Sequence, residues 1–279
     1  MDIKVLFFDF DGTALQRDQV FISPRNMHAL RQAMKQGIIC IPCTGRSADM
    51  FPPQIEAEEG FRYWVSASGC RIIDRKTGEV IFDGDCFTPE QSAEICKIYE
   101  GQQIYSEIAA QGKLYFEKEV NDALWNYSVP PHHVWYVETG RQIAVEGKLS
   151  DFFLSNRISV EKFNLYGVPE EKQAPFMKQL ESMDYVNFLD GPPKNMQFTS
   201  SKLDKVAAIE VLLKRLGVTY DQVMSIGDSP GMDGCIIRRS KVGVAMGNAP
   251  QELKDMSTDV TAPHDEDGMA LAIEKYLLK

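Results

Sequence analysis

Apolar residues fall into two textures along this chain. Towards both ends they form short unbroken runs: Val5-Leu6-Phe7-Phe8, Ile38 to Ile41, Tyr63 to Val65, Val223 to Ile226 and Val242 to Met246. Runs of this length without alternation read as strands buried on both faces of a parallel sheet. Between them the apolar period lengthens. Met27, Leu30 and Met34 recur at helical spacing behind Ser23-Pro24, an N-cap followed by a first-turn proline, and Gly37 closes that helix. Asp204 caps a second helix carrying Val206, Ile209, Leu213 and Leu216, closed by Gly217, and Gly268 to Leu278 is a third amphipathic helix. Strand, helix and strand in succession predict the right-handed βαβ unit and an α/β, Rossmann-like parallel-sheet core.

The middle of the chain breaks this rhythm. Arg71-Ile72-Ile73 and Glu79 to Phe82 read as a hairpin through Lys76-Thr77-Gly78. Thr88-Pro89-Glu90-Gln91 reads as a capping box opening a helix with Ile95, Ile98 and Tyr99. Shorter strand-like pieces follow at Gln103 to Ile108, Leu114 to Phe116, Val160 to Leu165 and Met196 to Thr199. The expected organisation is a core of residues 1–83 and 200–279 with an inserted α+β domain at 84–199. Residues 120–158 carry no clear period. There His132 and His133, after two prolines, read as a solvated loop pair, and Trp125, Tyr127 and Trp135 as packing residues.

Composition narrows the function classes. With 279 residues, of which 44% are hydrophobic and 25% charged, the chain can bury a proper core. A formal charge of -10 argues against a nucleic-acid partner. No apolar run approaches the ~18 residues of a membrane span, so no membrane partner is expected. The N-terminus reaches Asp9 and Asp11 too soon for a signal peptide, and the six scattered cysteines read as reduced thiols, so a cytoplasmic location is expected. Cys40 and Cys43 have redox spacing but lie in an apolar run with Pro42 between them, not at a helix start. An acidic chain that handles an anion must neutralise charge locally, with a metal or a few placed cations.

Polar residues gather where the buried runs end. Ligands of open α/β sheets bind beyond the carboxyl ends of the strands, and four of the runs lead into Asp9, Thr44, Ser66 and Gly227-Asp228. Asp9 and Asp11, two apart in Asp9-Phe10-Asp11-Gly12-Thr13, suit one Mg²⁺, a hard cation that takes oxygen ligands. Asp9 can offer its other oxygen to phosphorus, giving an aspartyl-phosphate. Asp11 is placed as acid and then base, and Gly12 lets backbone N–H groups turn towards an anion. Lys205, in the first turn of its helix, opposes the helix dipole unless an anion lies between them. Asp228 suits a third metal ligand; Asp233 suits a place behind it, orienting water or Lys205. Each of these residues read alone is equally a turn or surface residue.

With these residues in hand, the chain resembles the haloacid dehalogenase superfamily and, within it, the Cof-like sugar-phosphate phosphatases. Asp9 to Thr13 resembles the first motif, Cys43-Thr44-Gly45-Arg46-Ser47 the second, Lys205 the third and Gly227-Asp228-Ser229-Pro230-Gly231-Met232-Asp233 the fourth. Val244 to Ala249 and Asp265 to Gly268 are similar to the C-terminal signatures of the Cof-like branch. The resemblance implies a cap inserted between the second and third motifs. It also implies a Mg²⁺-dependent phosphomonoester hydrolase acting on a small phosphorylated metabolite. In that scheme Asp9, Asp11 and Lys205 are catalytic. Phe10, Thr44, Gly45 and Lys205 hold phosphate; Asp9, Asp11 and Asp228 hold the metal, with Asp233 behind them; Arg46 reaches substrate or forms an ion pair. The family's fourth motif usually reads Gly-Asp-x-x-Asn-Asp, and Gly231-Met232 stand at its last two positions, so the asparagine's phosphate contact is not carried over. Ser68 stands where an asparagine before glycine is common, and Val206 where a glycine commonly follows the lysine. A non-catalytic phosphometabolite-binding protein and a phosphomutase are the alternatives. The physiological substrate and oligomeric state are left open.

Overall fold

The computed structural model describes residues 1–102, 104–124, 129, 131–190 and 195–278. Trp125, Tyr127, Gln103 at the start of an expected strand, and the side chain of His132 lie outside the described residues. The chain divides into two compact units. One comprises residues 1–46, 51–82 and 204–279; the other comprises 47–50 and 83–203. The sequence expectation had put the second unit at 84–199.

The first unit is built on a parallel sheet. Val5–Phe8 pairs in parallel with Ile39–Pro42 on one side and Val223–Gly227 on the other. Val223–Gly227 pairs in parallel with Val242–Ala245, which pairs with Asp259–Val260. All four residues of Val5–Phe8 are buried, as an unbroken apolar run in a doubly covered strand should be. Val5, Phe7, Ile41, Ile209, Leu212, Leu213, Val223 and Ile236 share one apolar cluster, so the sheet and the helices Lys205–Leu216 and Pro230–Ile237 are fastened by dehydration of one surface.

The helix ends are set by the expected chemistry. Ser23 accepts the Asn26 N–H with its side chain, and Pro24 occupies the first turn. Asp204 Oδ1 accepts from the N–H groups of Val206 and Ala207 at 2.9 and 3.1 Å. Gly217 closes the same helix in a left-handed conformation.

Tyr63–Ser66 carries the pattern further. It pairs antiparallel with Arg71–Asp74, and Val65 forms a parallel bridge to Cys43. Ala67 and Ser68 follow with φ of 47° and 61°. The left-handed region is costly for a residue with a Cβ and least so for asparagine, which gives a physical sense to the asparagine common at position 68 in the family.

The second unit carries a six-stranded sheet of mixed direction among the described residues, in the order 186–190, 195–200, 162–166, 105–110, 113–117 and 143–145. Period two sorts its side chains. Ile108, Phe163, Leu165, Met196 and Phe198 join Ile95, Ile98 and Phe153 in its apolar cluster. Tyr105, Glu107, Asn164 and Tyr166 alternate with them, and register pairs Glu107 with Asn164 and Tyr105 with Tyr166. The fold is therefore α/β, a parallel-sheet core with an additional α+β part.

Two expectations for this unit change. Residues 120–158 contain short elements, the helices Pro131–Glu138 and Leu149–Ser155 and the strand Ile143–Val145. His133 is not solvated: it lies on the first of these helices and is 4% exposed. Its Nδ1 meets Glu107 Oε1, and its Nε2 lies 3.0 Å from the Tyr166 hydroxyl. Tyr166 also accepts from Asn164 Nδ2 at 2.6 Å, and Tyr105 donates to Glu107 at 3.1 Å. A buried imidazole is tolerable because the sheet face it covers is polar.

Thr88 and Gln91 form a reciprocal capping box, with Thr88 Oγ1 accepting from Gln91 N–H at 3.2 Å and Gln91 Oε1 accepting from Thr88 N–H at 3.0 Å. Thr88→Ala is expected to cost about 1 kcal/mol of stability, read as a lower urea midpoint at unchanged slope.

Candidate active site

The carboxyl ends of Val5–Phe8 and Val223–Gly227 bring acidic side chains to one place. Asp9, Asp228 and Asp233 each offer a carboxylate oxygen, and these oxygens lie within 4.8 Å of one another. Asp9 is 8% exposed and Asp233 6%. Backbone approach makes this possible. A Cβ added to Gly12, whose φ is 69°, would sit 2.2 Å from Asp228 Oδ2, and one added to Gly227 would sit 2.4 Å from Asp233 Oδ2. Both positions need glycine for closeness, and Gly12 needs it for conformation as well.

Asp233 is held from its own helix. Its Oδ2 accepts from the backbone N–H groups of Asp228 and Ser229, both at 3.1 Å. Ser229 caps that helix through the Met232 N–H at 3.3 Å, with Pro230 in the first turn. Lys205 approaches from the neighbouring helix. Its Nζ donates to the Met232 carbonyl and lies 3.9 Å from Asp233 Oδ1. Met232 thus serves through its backbone, while its sulfur receives the Ser68 hydroxyl at 3.7 Å. Two of the positions at which the sequence departs from the family pattern, Ser68 and Met232, thus touch each other.

Asp11 behaves differently from its neighbours. Arg46 donates to both of its oxygens, Nε to Oδ2 at 2.7 Å and Nη2 to Oδ1 at 2.5 Å, and also to the Gln19 carbonyl at 2.8 Å. The Arg46 side chain is 6% exposed and that of Asp11 43%. Of the two roles weighed for Arg46, the structure contains the ion pair. Of the three metal candidates read from sequence, Asp9 and Asp228 stand together, with Asp233 rather than the Asp11 carboxylate as the third member. Nothing local to residues 9–11 signals this, because Arg46 reaches Asp11 from 35 residues away.

Thr44 is buried, its N–H donating to the Val65 carbonyl at 3.0 Å and its hydroxyl accepting from Arg46 N–H at 3.3 Å. Gly45 follows it at the same strand end. Phe10 turns its ring away into an aromatic cluster with Phe8 and Phe51, leaving its N–H to the Asp9 carboxylate.

Burial, and then the crowding of like charge, holds protons on these carboxyls. Burial raises the Asp9 carboxyl well above its usual range, and Asp233, Asp11 and Asp228 raise it further. Asp228 is pushed up to about 7 by burial, then by Asp233 and Asp11. Burial also raises Asp233, against the pull of Lys205 and its two backbone donors. Burial works against the Lys205 ammonium, yet Cys43, Asp233, Cys235 and Asp9 leave it raised overall. The Cys43 thiol beside it is pushed up to about 12 by burial. Three hard oxygen donors whose ionisation is held back first by burial, and at Asp9 and Asp228 also by neighbouring carboxylates, suit a divalent, oxygen-seeking cation such as Mg²⁺.

The family description "haloacid dehalogenase-like hydrolase" matches residues 6–273. The chain belongs to the haloacid dehalogenase-like hydrolases. Phosphatase YwpJ of Bacillus subtilis is 24% identical over 297 residues, covering 99% of this chain and 100% of the relative. From the same organism, 5-amino-6-(5-phospho-D-ribitylamino)uracil phosphatase YcsE is 25% identical, covering 100% and 97%. A haloacid dehalogenase-like hydrolase from Bacteroides thetaiotaomicron superposes with a TM-score of 0.78 at 22% identity, covering 98% of this chain and 99% of that one. The subclass IIB sugar phosphatase BT4131 gives 0.75 at 21% identity, covering 99% and 100%. The fold is shared throughout, and the chain is an enzyme, a phosphatase of this family. Among the described residues no helix is long and apolar enough to cross a membrane.

A pH dependence follows from the crowded carboxyls. In the unfolded chain an aspartate loses its proton near pH ~4, whereas folded Asp228 keeps it to about 7. Between those values the unfolded state binds fewer protons, so stability falls as pH rises through the window and levels off above it. The melting temperature of the metal-free protein is expected to decline across that range, less steeply in Asp228→Asn. A slope of opposite sign, or one unaltered by the substitution, contradicts this origin. Gly12→Ala is expected to weaken magnesium-induced stabilisation, because its methyl group displaces the Asp228 carboxylate.

Proposed function

We propose that this chain is a Mg²⁺-dependent phosphomonoester hydrolase working through an aspartyl-phosphate on Asp9, with small phosphorylated metabolites, sugar phosphates foremost, as substrates. The observation that carries the reading is the grouping of Asp9, Asp228 and Asp233 at the strand ends, with the Lys205 ammonium beside it. The named substrate of the relative YcsE, a phosphorylated ribitylamino-uracil, supports the substrate class.

Asp9 and Asp228 would hold the ion, with Asp233 next to them. Bound there, magnesium would supply positive charge that lets a phosphate dianion approach carboxylates and would stabilise charge on the transferring group. Lys205, the Thr44 hydroxyl and the N–H groups of Phe10 and Gly45 are assigned to the phosphate oxygens. One oxygen of Asp9 attacks phosphorus, and the bond to the leaving oxygen breaks. Asp11, which must leave its fork with Arg46 and be protonated to act as the acid, gives that oxygen a proton, so an alcohol departs and the phosphoryl group remains on Asp9. Asp11, now a base, takes a proton from water as the water attacks phosphorus and frees Asp9. Acting in the cytoplasm, such an enzyme would draw on a pool rich in magnesium and phosphorylated metabolites.

The test is phosphate release from a broad phosphomonoester panel with and without magnesium. Asp9→Asn is expected to abolish turnover, since an amide is a poor nucleophile, while leaving the protein folded. Asp11→Asn is expected to slow alkyl phosphates about 100-fold or more and p-nitrophenyl phosphate less, because nitrophenolate leaves without a proton. Magnesium-independent release, or full activity in Asp9→Asn, would exclude this mechanism.

A further inference from the structure

The C-terminal signatures, Val244 to Ala249 and Asp265 to Gly268, take no part in the chemistry above, yet their contacts converge on the loop that follows Asp9. Asn248 Nδ2 donates to the Gly12 carbonyl at 2.9 Å, and its Oδ1 accepts from the His264 N–H at 2.9 Å. The His264 Nδ1 lies 2.8 Å from the Leu15 carbonyl and therefore carries the proton of that bond. Deeper in, the fully buried Asn26 donates to the Ala14 carbonyl at 3.2 Å and accepts from the Ala270 N–H at 2.9 Å. Ser23 accepts from the Asn26 N–H at 3.0 Å and donates to Asp267. Three carbonyls of one short loop, at Gly12, Ala14 and Leu15, are thus tied to Asn248, Asn26 and His264.

Gly12 is where this bracing meets the chemistry. It follows Asp11, has a left-handed backbone, and lies against the Asp228 carboxylate so closely that no Cβ fits. A peptide unit in that conformation has few local restraints, and its carbonyl points to Asn248. We propose that Asn248 is a positioning residue. By holding the Gly12 carbonyl and the His264 backbone together, it sets the position of the Asp9–Asp11 loop relative to Asp228. The C-terminal signature is then a brace for the catalytic loop. This rests on the reading of Asp9, Asp11 and Asp228 as the phosphoryl-transfer centre. Asn248 touches no reacting atom and acts through the backbone, where small displacements of catalytic groups are costly.

The experiment uses the full chain with Asn248→Ala, Asn248→Asp and the control Arg17→Ala. The control removes an exposed ion pair between Arg17, just beyond the loop, and Asp265 of the C-terminal signature, without touching Gly12. Asn248 is exposed, so its loss should not unfold the protein. The readouts are kcat and KM for p-nitrophenyl phosphate, the metal-free melting temperature, and the magnesium concentration giving half of the maximal thermal shift. Asn248→Ala is expected to lower kcat about tenfold with KM nearly unchanged, and to raise the half-maximal magnesium concentration severalfold. Its metal-free melting temperature should stay near that of the wild type. Asn248→Asp should do worse, because a carboxylate oxygen then faces the Gly12 carbonyl. Arg17→Ala should match the wild type. The proposal is overturned if Asn248→Ala leaves both kcat and the magnesium response unchanged. It is equally overturned if Arg17→Ala loses as much, or if Asn248→Asp retains more than Asn248→Ala. If the wild type hydrolyses no phosphomonoester, the catalytic reading fails, while the magnesium titration still decides the role of Asn248.

Discussion

Like charges held together in a poorly solvated place are the constraint around which the core of this protein is organised. Carboxylates repel one another, and burial withdraws the water that would screen them. Asp9, Asp228 and Asp233 nevertheless gather at the ends of two adjacent parallel strands. The surrounding residues make that arrangement tenable. Glycine at 12 and 227 lets backbone and carboxylates approach, backbone N–H groups of residues 228 and 229 satisfy Asp233, and Lys205 supplies a buried positive charge. A divalent cation bound at such a site would relieve the same repulsion that costs the fold stability. The net charge of -10 sharpens the point, since the bulk of the protein offers an anionic substrate no attraction.

The parts legible in the sequence are those fixed by short-range chemistry. Unbroken apolar runs marked doubly buried strands, and their ends located Asp9, Thr44 and Asp228. Ser23, Thr88 and Asp204 announced helix starts because a cap is a bond between residues two or three apart. The strand-like pieces at Gln103 to Ile108 and Val160 to Leu165 foreshadowed the strands Tyr105–Ala110 and Lys162–Tyr166. The family pattern supplied the expectations for residues that composition and spacing left ambiguous.

What stayed hidden depends on partners far apart in sequence or on elements too short to show a period. The fork of Arg46 on Asp11 spans 35 positions, and the bond from Asn248 to Gly12 spans 236. His133 read as a solvated loop residue because its partners Glu107 and Tyr166 come from two different strands. The helix Leu149–Ser155 and the strand Ile143–Val145 hold seven and three residues, less than any hydrophobic period needs to declare itself. Gly231 and Met232 looked like losses in the fourth motif. The structure gives Met232 a backbone role towards Lys205 and pairs its sulfur with Ser68, so two of the departures from the family pattern are in contact.

The account stands on Asp9 forming a covalent bond to phosphorus. The direct measurement is acid quenching during turnover of a phosphomonoester, followed by peptide mapping of the trapped protein. A phosphoryl group on Asp9, at higher occupancy in Asp11→Asn and absent from Asp9→Asn, is the predicted result. Steady turnover with no phosphorylated enzyme, or with the group on any other side chain, would contradict it.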